Sequence, residues 1–214
     1  MIRIPDQEIA RYLGYHGFSP DETVQEQIEE VKAGLLSSCH PRMITKEEPL
    51  EFHGSETVLG PIRTTSRDVY RNLQGCERVL LLGATLGAEA DYLIRRYEKL
   101  DMAKAAVAQA VSAAFIEAYL DEEQAKITEK YAKDGWYLRP RYSPGYGDFP
   151  LSLQPEFIAV LEMNRFLGVT LTDGLLMVPS KSVTAIIGLS RSGASVTSSC
   201  RNCSKPSCPY RKEF

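Results

Sequence analysis

The residues best suited to chemistry stand in one short segment between Arg141 and Pro150. This segment contains one arginine, two tyrosines, two glycines and two prolines. Proline fixes the backbone and removes an amide donor, whereas glycine lets the backbone come close to a flat or bulky group. A rigid loop of this kind can hold a small polar ligand. Composition alone favours an ordinary surface turn, because such turns are common.

A second set of reactive side chains is the cysteine cluster near the C-terminus, formed by Cys200, Cys203 and Cys208. Three thiolates at this spacing could hold zinc or an iron–sulfur cluster, with Cys39, Cys76 or another chain as the fourth ligand. The protein would then be a metal- or iron–sulfur-binding redox module, and the cluster could deliver an electron. The alternative is a polar tail whose thiols bind no metal, and the spacing does not decide between the two.

A pair of glycines, Gly83 and Gly87, follows the apolar run 79–82 and resembles the strand-to-helix turn of a nucleotide site. A dinucleotide fingerprint needs three glycines in the pattern Gly-x-Gly-x-x-Gly, and only two are present. No regular alternation of strands and helices follows the turn. We therefore predict a tight turn with close packing rather than a nucleotide site.

Helices are predicted by apolar periodicity and by capping residues. Ser19 is predicted to cap a helix, with Pro20 at its first position. The inner face of that helix carries apolar residues three or four positions apart, namely Val24, Ile28, Val31 and Leu35. A short helix is predicted over 67–73 and a long one over 102–133. A further helix is expected to begin at Pro155 and to end at Gly168.

Strands are predicted over three apolar segments, 79–82, 169–178 and 183–189. Gly83 is expected to end the first of them. Helices and strands follow one another in irregular order, which favours the α+β class over a doubly wound sheet. We expect a single domain over residues 1–190, followed by a cysteine-containing tail over 191–214.

Composition and charge restrict the class of protein. The 214 residues carry a net charge of −3, and the 25 basic residues are scattered, so no basic stripe for nucleic acid is present. No apolar stretch reaches the roughly 20 residues that span a bilayer, and the N-terminus lacks a signal-peptide core. Five cysteines, an odd number, fit a reducing compartment. These features predict a cytoplasmic protein that binds neither nucleic acid nor membrane.

The segment 141–150 resembles the Arg-Pro-x-Pro-Gly-Tyr-Pro loop of the activation domain of cobalamin-dependent methionine synthase. The segments 166–172 and 177–183 are similar to the Gly-x-x-Leu-Thr and Met-x-Pro-x-x-Ser-Val motifs that follow this loop in the family. The resemblance covers residues 136–190, with the motifs in the family's order. Tyr142 and Gly147 stand where the family has proline.

The resemblance implies a stand-alone activation domain with an α+β fold, mainly an antiparallel twisted sheet packed with helices. It also implies that the chain binds S-adenosylmethionine through four residues. Arg141 would pair with the carboxylate of the ligand, and Ser143 and Gly145 would offer backbone groups. Tyr146 would stand where the methyl group meets the corrin.

The implied activity is the reactivation of a cobalamin methyltransferase by reductive methylation of cob(II)alamin. The family's chemistry implies that cobalamin is supplied by a partner, a methionine synthase lacking its own activation domain. It implies as well a flavodoxin-like or other electron donor. The chain itself would be an accessory subunit of that methyltransferase, whose main contribution is to place the methyl donor.

Overall fold

A computed structural model describes residues 2–15 and 18–192 of the chain. Its centre is a six-stranded sheet in the order β3-β2-β1-β4-β8-β5, and every neighbouring pair is antiparallel. A separate two-stranded hairpin is formed by β6 and β7. The strands are β1 (Arg42–His53), β2 (Glu56–Leu59), β3 (Ile62–Thr64), β4 (Arg78–Thr85), β5 (Tyr137–Leu138), β6 (Thr170–Leu171), β7 (Met177–Val178) and β8 (Ser182–Ser190).

Helices cover both faces of the sheet. One face carries α1 (Asp6–Tyr12), α2 (Glu22–Ser38), α4 (Ala88–Leu100) and α5 (Met102–Ala132). The opposite face carries α3 (Arg67–Leu73), α6 (Gln154–Val160) and α7 (Met163–Phe166). This arrangement confirms the predicted α+β class, an antiparallel sheet packed with helices. No helix of the described segments is long and apolar enough to cross a membrane.

Strand β4 connects the two hydrophobic cores because successive side chains of a strand point to opposite faces. Leu80 and Leu82 pack under α1, α2, α4 and α5, whereas Val79 and Leu81 pack under α3, α6 and α7. All four are buried. Each such side chain stabilises the fold by about 1.5–3 kcal/mol relative to an exposed one. The unbroken apolar run in the sequence therefore reflects a strand covered on both sides.

Helix α2 has the predicted apolar face but a different cap. Ile28, Val31 and Leu35 are buried, as their spacing indicates. The helix begins at Glu22 because Asp21 is the capping residue, and its carboxylate accepts a hydrogen bond of 2.9 Å from the amide of Val24. The prediction of Ser19 as the cap was wrong by two residues. The carboxylate of Asp21 satisfies one of the amides that a helix start leaves unpaired.

Gly83 does not end its strand, contrary to the prediction. Strand β4 continues to Thr85, and Gly83 pairs with Ile44 of β1 and Thr184 of β8. The glycine has a packing role instead, because the side chain of Met163 fills the space where a Cβ would stand. The glycine at position 83 is therefore explained by the close approach of Met163 and not by the end of a strand.

The region 155–178 is more divided than the sequence predicts. The expected helix is split into α6 and α7 at Glu162, whose φ is +47°, and Gly168 follows α7 with a φ of +70°. The expected strand 169–178 is the β6–β7 hairpin, with Leu175 at a φ of +62° in its turn. A non-glycine residue in the left-handed region is uncommon, so apolar patterning could not indicate this turn.

Candidate functional site

The loop that starts at Arg141 continues the edge of the sheet beside β8. Beyond β5, the amide of Arg139 donates to the carbonyl of Gly188 at 2.8 Å. Tyr142 and Ile186 then exchange two backbone hydrogen bonds, of 3.0 and 2.8 Å. The base of the loop is therefore fixed to a strand that is buried on both faces, which is a rigid support for a site.

The tip of the loop is a compact turn held by its own backbone. The amide of Gly145 donates to the carbonyl of Phe149 at 2.8 Å, and the amide of Phe149 donates to the carbonyl of Tyr146 at 3.0 Å. Gly145 has a φ of +93° and Gly147 a φ of +55°, values that favour glycine. The side chain of Tyr146 is 68% exposed at this tip. The turn presents an aromatic ring on a fixed backbone.

Aromatic packing joins the loop to the core below it. The rings of Tyr142 and Phe149 are stacked, with centroids 6.1 Å apart and planes 7° apart. Phe149 also meets Phe157 of α6 in an edge-to-face contact at 6.1 Å. Both phenylalanines are buried, and such aromatic pairs add about 0.5–1.5 kcal/mol beyond their buried area. The loop is thus an extension of the core under α3, α6 and α7.

Asp148 ties the far end of the turn to the start of helix α3. Its carboxylate accepts hydrogen bonds from the hydroxyl of Ser66, from the amide of Arg67 at 2.8 Å and from the amide of Asp68 at 3.1 Å. Burial opposes ionisation of Asp148, but these hydrogen bonds outweigh it, so the pKa of Asp148 lies below its usual range. Asp148 is therefore a charged anchor at physiological pH.

Asp68 makes the reciprocal connection from helix α3 back to the loop. Its Oδ2 accepts from the amide of Asp148 at 3.3 Å and lies 3.3 Å from the hydroxyl of Tyr142. The same hydroxyl lies 3.1 Å from the carbonyl oxygen of Tyr146. Burial, and then the charge of Asp68, raise the pKa of the Tyr142 phenol. The phenol remains a neutral donor between the two oxygens.

These contacts show why proline would not fit at positions 142 and 147. A Cβ on Gly147 would collide with the carboxylate of Asp68 and with the hydroxyl of Tyr142. Proline would also require a φ near −65°, whereas Gly147 has +55°. Tyr142 stands at the other proline position because its backbone amide bonds to Ile186, which a proline could not do.

Arg141 turns from the loop toward helix α5. Its side chain is 15% exposed, and its Nη1 donates to Oε1 of Gln124 at 2.6 Å. Its Nη2 donates to Oδ1 of Asp121 at 2.6 Å and to Oε2 of Glu117 at 3.2 Å. The three acceptors recur at i, i+4 and i+7 on one face of the helix. Sequence reasoning missed them, although that spacing of polar residues was a visible signal.

The four predicted ligand residues therefore share one loop, but their side chains have different surroundings. Ser143, Gly145 and Tyr146 belong to the turn, and the carbonyl of Ser143 accepts from the amide of Tyr146 at 3.3 Å. Gly145 and Tyr146 are exposed and Ser143 is half-buried. Arg141, by contrast, is held against α5. Their roles toward S-adenosylmethionine stay a prediction.

The cysteine cluster lies outside the described residues, because Cys200, Cys203 and Cys208 follow position 192. The two other cysteines, Cys39 and Cys76, are buried, and burial raises the pKa of both thiols. Within 2–15 and 18–192, no three histidine, cysteine, aspartate or glutamate side chains are grouped so that they could hold a metal ion.

The turn at Gly87 is a close-packed connection, as predicted. The amide of Leu86 donates to the carbonyl of Lys181 at 2.9 Å, and the amide of Gly87 donates to the hydroxyl of Thr85 at 3.1 Å. Leu86 is fully buried. These two amides have partners inside the protein, whereas the start of α4 that follows them has no side-chain cap.

Comparison with known proteins gives a match in structure. No family model matches the sequence. No curated protein sequence matches it either. A solved structure, that of the MetH reactivation domain bound to AdoHcy, matches 90% of this chain and 76% of that chain with a TM-score of 0.65 and 15% sequence identity. This chain has the fold of the MetH reactivation domain.

Proposed function

We propose that this protein binds S-adenosylmethionine at the 141–146 loop and presents its methyl group to the cob(II)alamin of a partner methionine synthase. The observation that carries the proposal is the likeness to the MetH reactivation domain, whose solved structure is bound to AdoHcy. AdoHcy is what remains of S-adenosylmethionine after the methyl group has left. The loop motif that resembles the family's ligand loop lies on this same fold.

Arg141 binds the carboxylate of the ligand in this proposal. The guanidinium has five N–H donors in a planar fork, which matches a carboxylate in a bidentate pair. In the free protein its donors serve Glu117, Asp121 and Gln124. Binding therefore exchanges protein acceptors for ligand acceptors. Asp121 is 60% exposed but Arg141 only 15%, and Glu117 and Gln124 also accept from the guanidinium, so releasing it from α5 subtracts from the affinity gained with the ligand.

The turn supplies the remaining ligand contacts in this proposal. Ser143 and Gly145 offer backbone groups, and Gly145 is exposed. Tyr146 stands at the tip, so its ring would meet both the ligand and the arriving corrin. An exposed tyrosine on a fixed backbone gives a large contact area at low entropic cost.

The reaction consumes one electron and one S-adenosylmethionine. The electron would reduce Co(II) to Co(I), which would supply the electron pair for the bond to the methyl group. The carbon–sulfur bond of the sulfonium would break with its electron pair staying on sulfur, so that AdoHcy leaves. The partner holds the corrin, and a flavodoxin-like or other donor supplies the electron. This chain acts by placement, because an oriented methyl donor makes an encounter of two molecules effectively unimolecular. We place this reaction in the cytoplasm, where an accessory protein can meet both partners.

Calorimetric titration with S-adenosylmethionine tests the ligand and the loop together. The wild-type protein should bind saturably, and Arg141→Ala should weaken binding at least tenfold, about 1.4 kcal/mol. Arg165→Ala is the matched control, because Arg165 is exposed and pairs only locally with Glu162. The control should bind like the wild type. Thermal unfolding of both variants checks that the fold is intact.

Absence of binding to the wild-type protein would exclude the proposal. Equal affinity of the wild type and Arg141→Ala would exclude the role of the arginine but would still support binding of S-adenosylmethionine. The activity is tested with a methionine synthase that lacks its activation domain and has been converted to the cob(II)alamin form. Return of methionine synthesis should require this protein, S-adenosylmethionine and a reductant, and should fail with Arg141→Ala.

A further inference from the structure

We infer that Asp68 and Asp148 are positioning residues that hold the tip of the ligand loop, and above all Tyr146, in its binding geometry. The inference rests on the proposed function, because it concerns how the same loop receives S-adenosylmethionine. Asp68 lies outside the segment 141–150 that resembles the family's loop, and Asp148 follows the seven positions that the family's motif names. Their role follows from the hydrogen bonds that join helix α3 to the turn.

The two aspartates form a reciprocal pair between α3 and the loop. Asp148 is a loop residue, and its carboxylate accepts hydrogen bonds from the amides of Arg67 and Asp68 at the start of α3. Asp68 is a residue of α3, and its carboxylate accepts hydrogen bonds from the amide of Asp148 and from the hydroxyl of Tyr142. Each segment is thus held by a carboxylate of the other. Rotation of the turn away from α3 would break bonds of both.

The hold extends to Tyr146 through Tyr142. The Tyr142 hydroxyl lies between Oδ2 of Asp68 and the carbonyl oxygen of Tyr146, at 3.3 and 3.1 Å. Gly147 follows at a φ of +55°, and the same carboxylate fills the space beside its Cα. Asp68 therefore fixes Asp148 and Gly147 on one side of the tip, and on the other side the single Tyr142 hydroxyl proton is shared between Asp68 and the carbonyl of Tyr146. The lowered pKa of Asp148 agrees with a carboxylate stabilised by these donors.

This arrangement matters because Tyr146 is 68% exposed at the tip of the turn. Its exposed ring can serve a ligand only if its backbone is already in place, since ordering the turn on binding would subtract from affinity. A displacement of about 1 Å at such a site is enough to cost a large factor in rate. Asp68 and Asp148 pre-organise the tip instead.

The test is a double-mutant cycle on S-adenosylmethionine affinity, measured by calorimetry. Asp148→Asn and Asp68→Asn keep the size of the side chain and remove its charge. Each is made in the wild type and in Tyr146→Ala. Asp173→Asn, an exposed aspartate in the β6–β7 turn, is the matched control. Thermal unfolding of every variant establishes that it is folded at the titration temperature.

Each aspartate substitution should weaken binding about tenfold in the wild type and less than about twofold in Tyr146→Ala, because the residue acts through Tyr146. The control should bind like its parent in both backgrounds. Equal losses in the two backgrounds, or no loss in the wild type, would overturn the inference while the proposed function stands. Absence of binding to the wild-type protein would overturn the proposed function and this inference with it.

Discussion

Nη2 of Arg141 donates a hydrogen bond of 2.6 Å to Oδ1 of Asp121, so the loop arginine is held by the middle of helix α5. The same carboxylate competes with the ligand carboxylate that we propose for Arg141. Asp121→Asn should therefore strengthen S-adenosylmethionine binding. Arg141 is 15% exposed and Asp121 60%, so the pair contributes about 1 kcal/mol, the upper end of the range for surface pairs, which corresponds to about a fivefold gain in affinity. Calorimetric titration at low and moderate salt measures it.

Glu123→Gln is the control for this substitution, because it removes one carboxylate from the same helix. Glu123 pairs with Lys126 rather than with Arg141. Its affinity for the ligand should equal that of the wild type. Weaker binding by Asp121→Asn would contradict this competition and would mean that the Asp121 carboxylate contributes to binding the ligand.

Gly147→Ala is expected to destabilise the loop more than an equivalent glycine substitution elsewhere. The alanine Cβ would collide with the Asp68 carboxylate and the Tyr142 hydroxyl, both held by hydrogen bonds. Gly54 is the matched control, because its φ of +62° is close to the +55° of Gly147 and open space surrounds it. Both alanines bear the left-handed backbone cost, about 1–2 kcal/mol. Only Gly147→Ala bears the collision as well, about 1–3 kcal/mol more.

Urea unfolding of the two variants measures this difference. Gly147→Ala should also weaken S-adenosylmethionine binding, whereas Gly54→Ala should not. Equal free energies of unfolding for the two variants would mean that the loop adapts to the methyl group. That result would contradict the close fit of Asp68 around the turn.

Gly83→Ala and Gly34→Ala should change stability in opposite directions. A Cβ at Gly83 would lie 2.7 Å from Sδ of Met163, which is fully buried, so the methionine side chain would have to shift within the core. Overpacking of this kind costs about 1–3 kcal/mol. A Cβ at Gly34 in α2 would meet Leu93 at an ordinary 3.7 Å, and alanine in a helix gains about 0.5–1 kcal/mol over glycine. Urea unfolding should thus give a lower midpoint for Gly83→Ala and a higher one for Gly34→Ala.

Local patterns in the sequence were sufficient for the elements that depend on local causes. Helix α3 covers the predicted 67–73, and α5 covers 102–132 against a predicted 102–133. Capping residues mark both starts: Ser66 accepts from Val69, and Asp101 accepts from Ala103 and Lys104. The apolar face of α2 was equally visible. These features need only the neighbours within one or two helical turns.

Features that depend on distant contacts were not visible in the sequence. Gly83 looked like the end of a strand, because nothing near it in sequence indicates that Met163 covers it. The same distinction between local and distant contacts applies to the candidate site. The loop 141–150 was singled out by its own residues and assigned a ligand by the family resemblance, whereas its connections to Asp68 and Asp121 span 80 and 20 residues. Only the folded chain brings those carboxylates to the loop.

The lowered pKa of Asp148 predicts how its contribution to stability depends on pH. A carboxyl whose folded-state pKa is depressed binds fewer protons when folded than when unfolded, in the window below its usual value of about 3.9. Its stabilisation is therefore complete above that value and is lost as the pH falls through the folded-state pKa. Asp148→Asn should be less stable than the wild type at pH 7.

The difference in unfolding free energy between Asp148→Asn and the wild type should then shrink on acidification below about pH 4, since both side chains become neutral. Urea unfolding at pH 7 and at successive acidic values measures this difference, and comparison with the wild type cancels the effects of the other carboxyl groups. Asp173→Asn should differ little from the wild type throughout. A difference for Asp148→Asn that is independent of pH would mean that the carboxylate charge does not hold the loop to α3, and that only the shape of the side chain matters there.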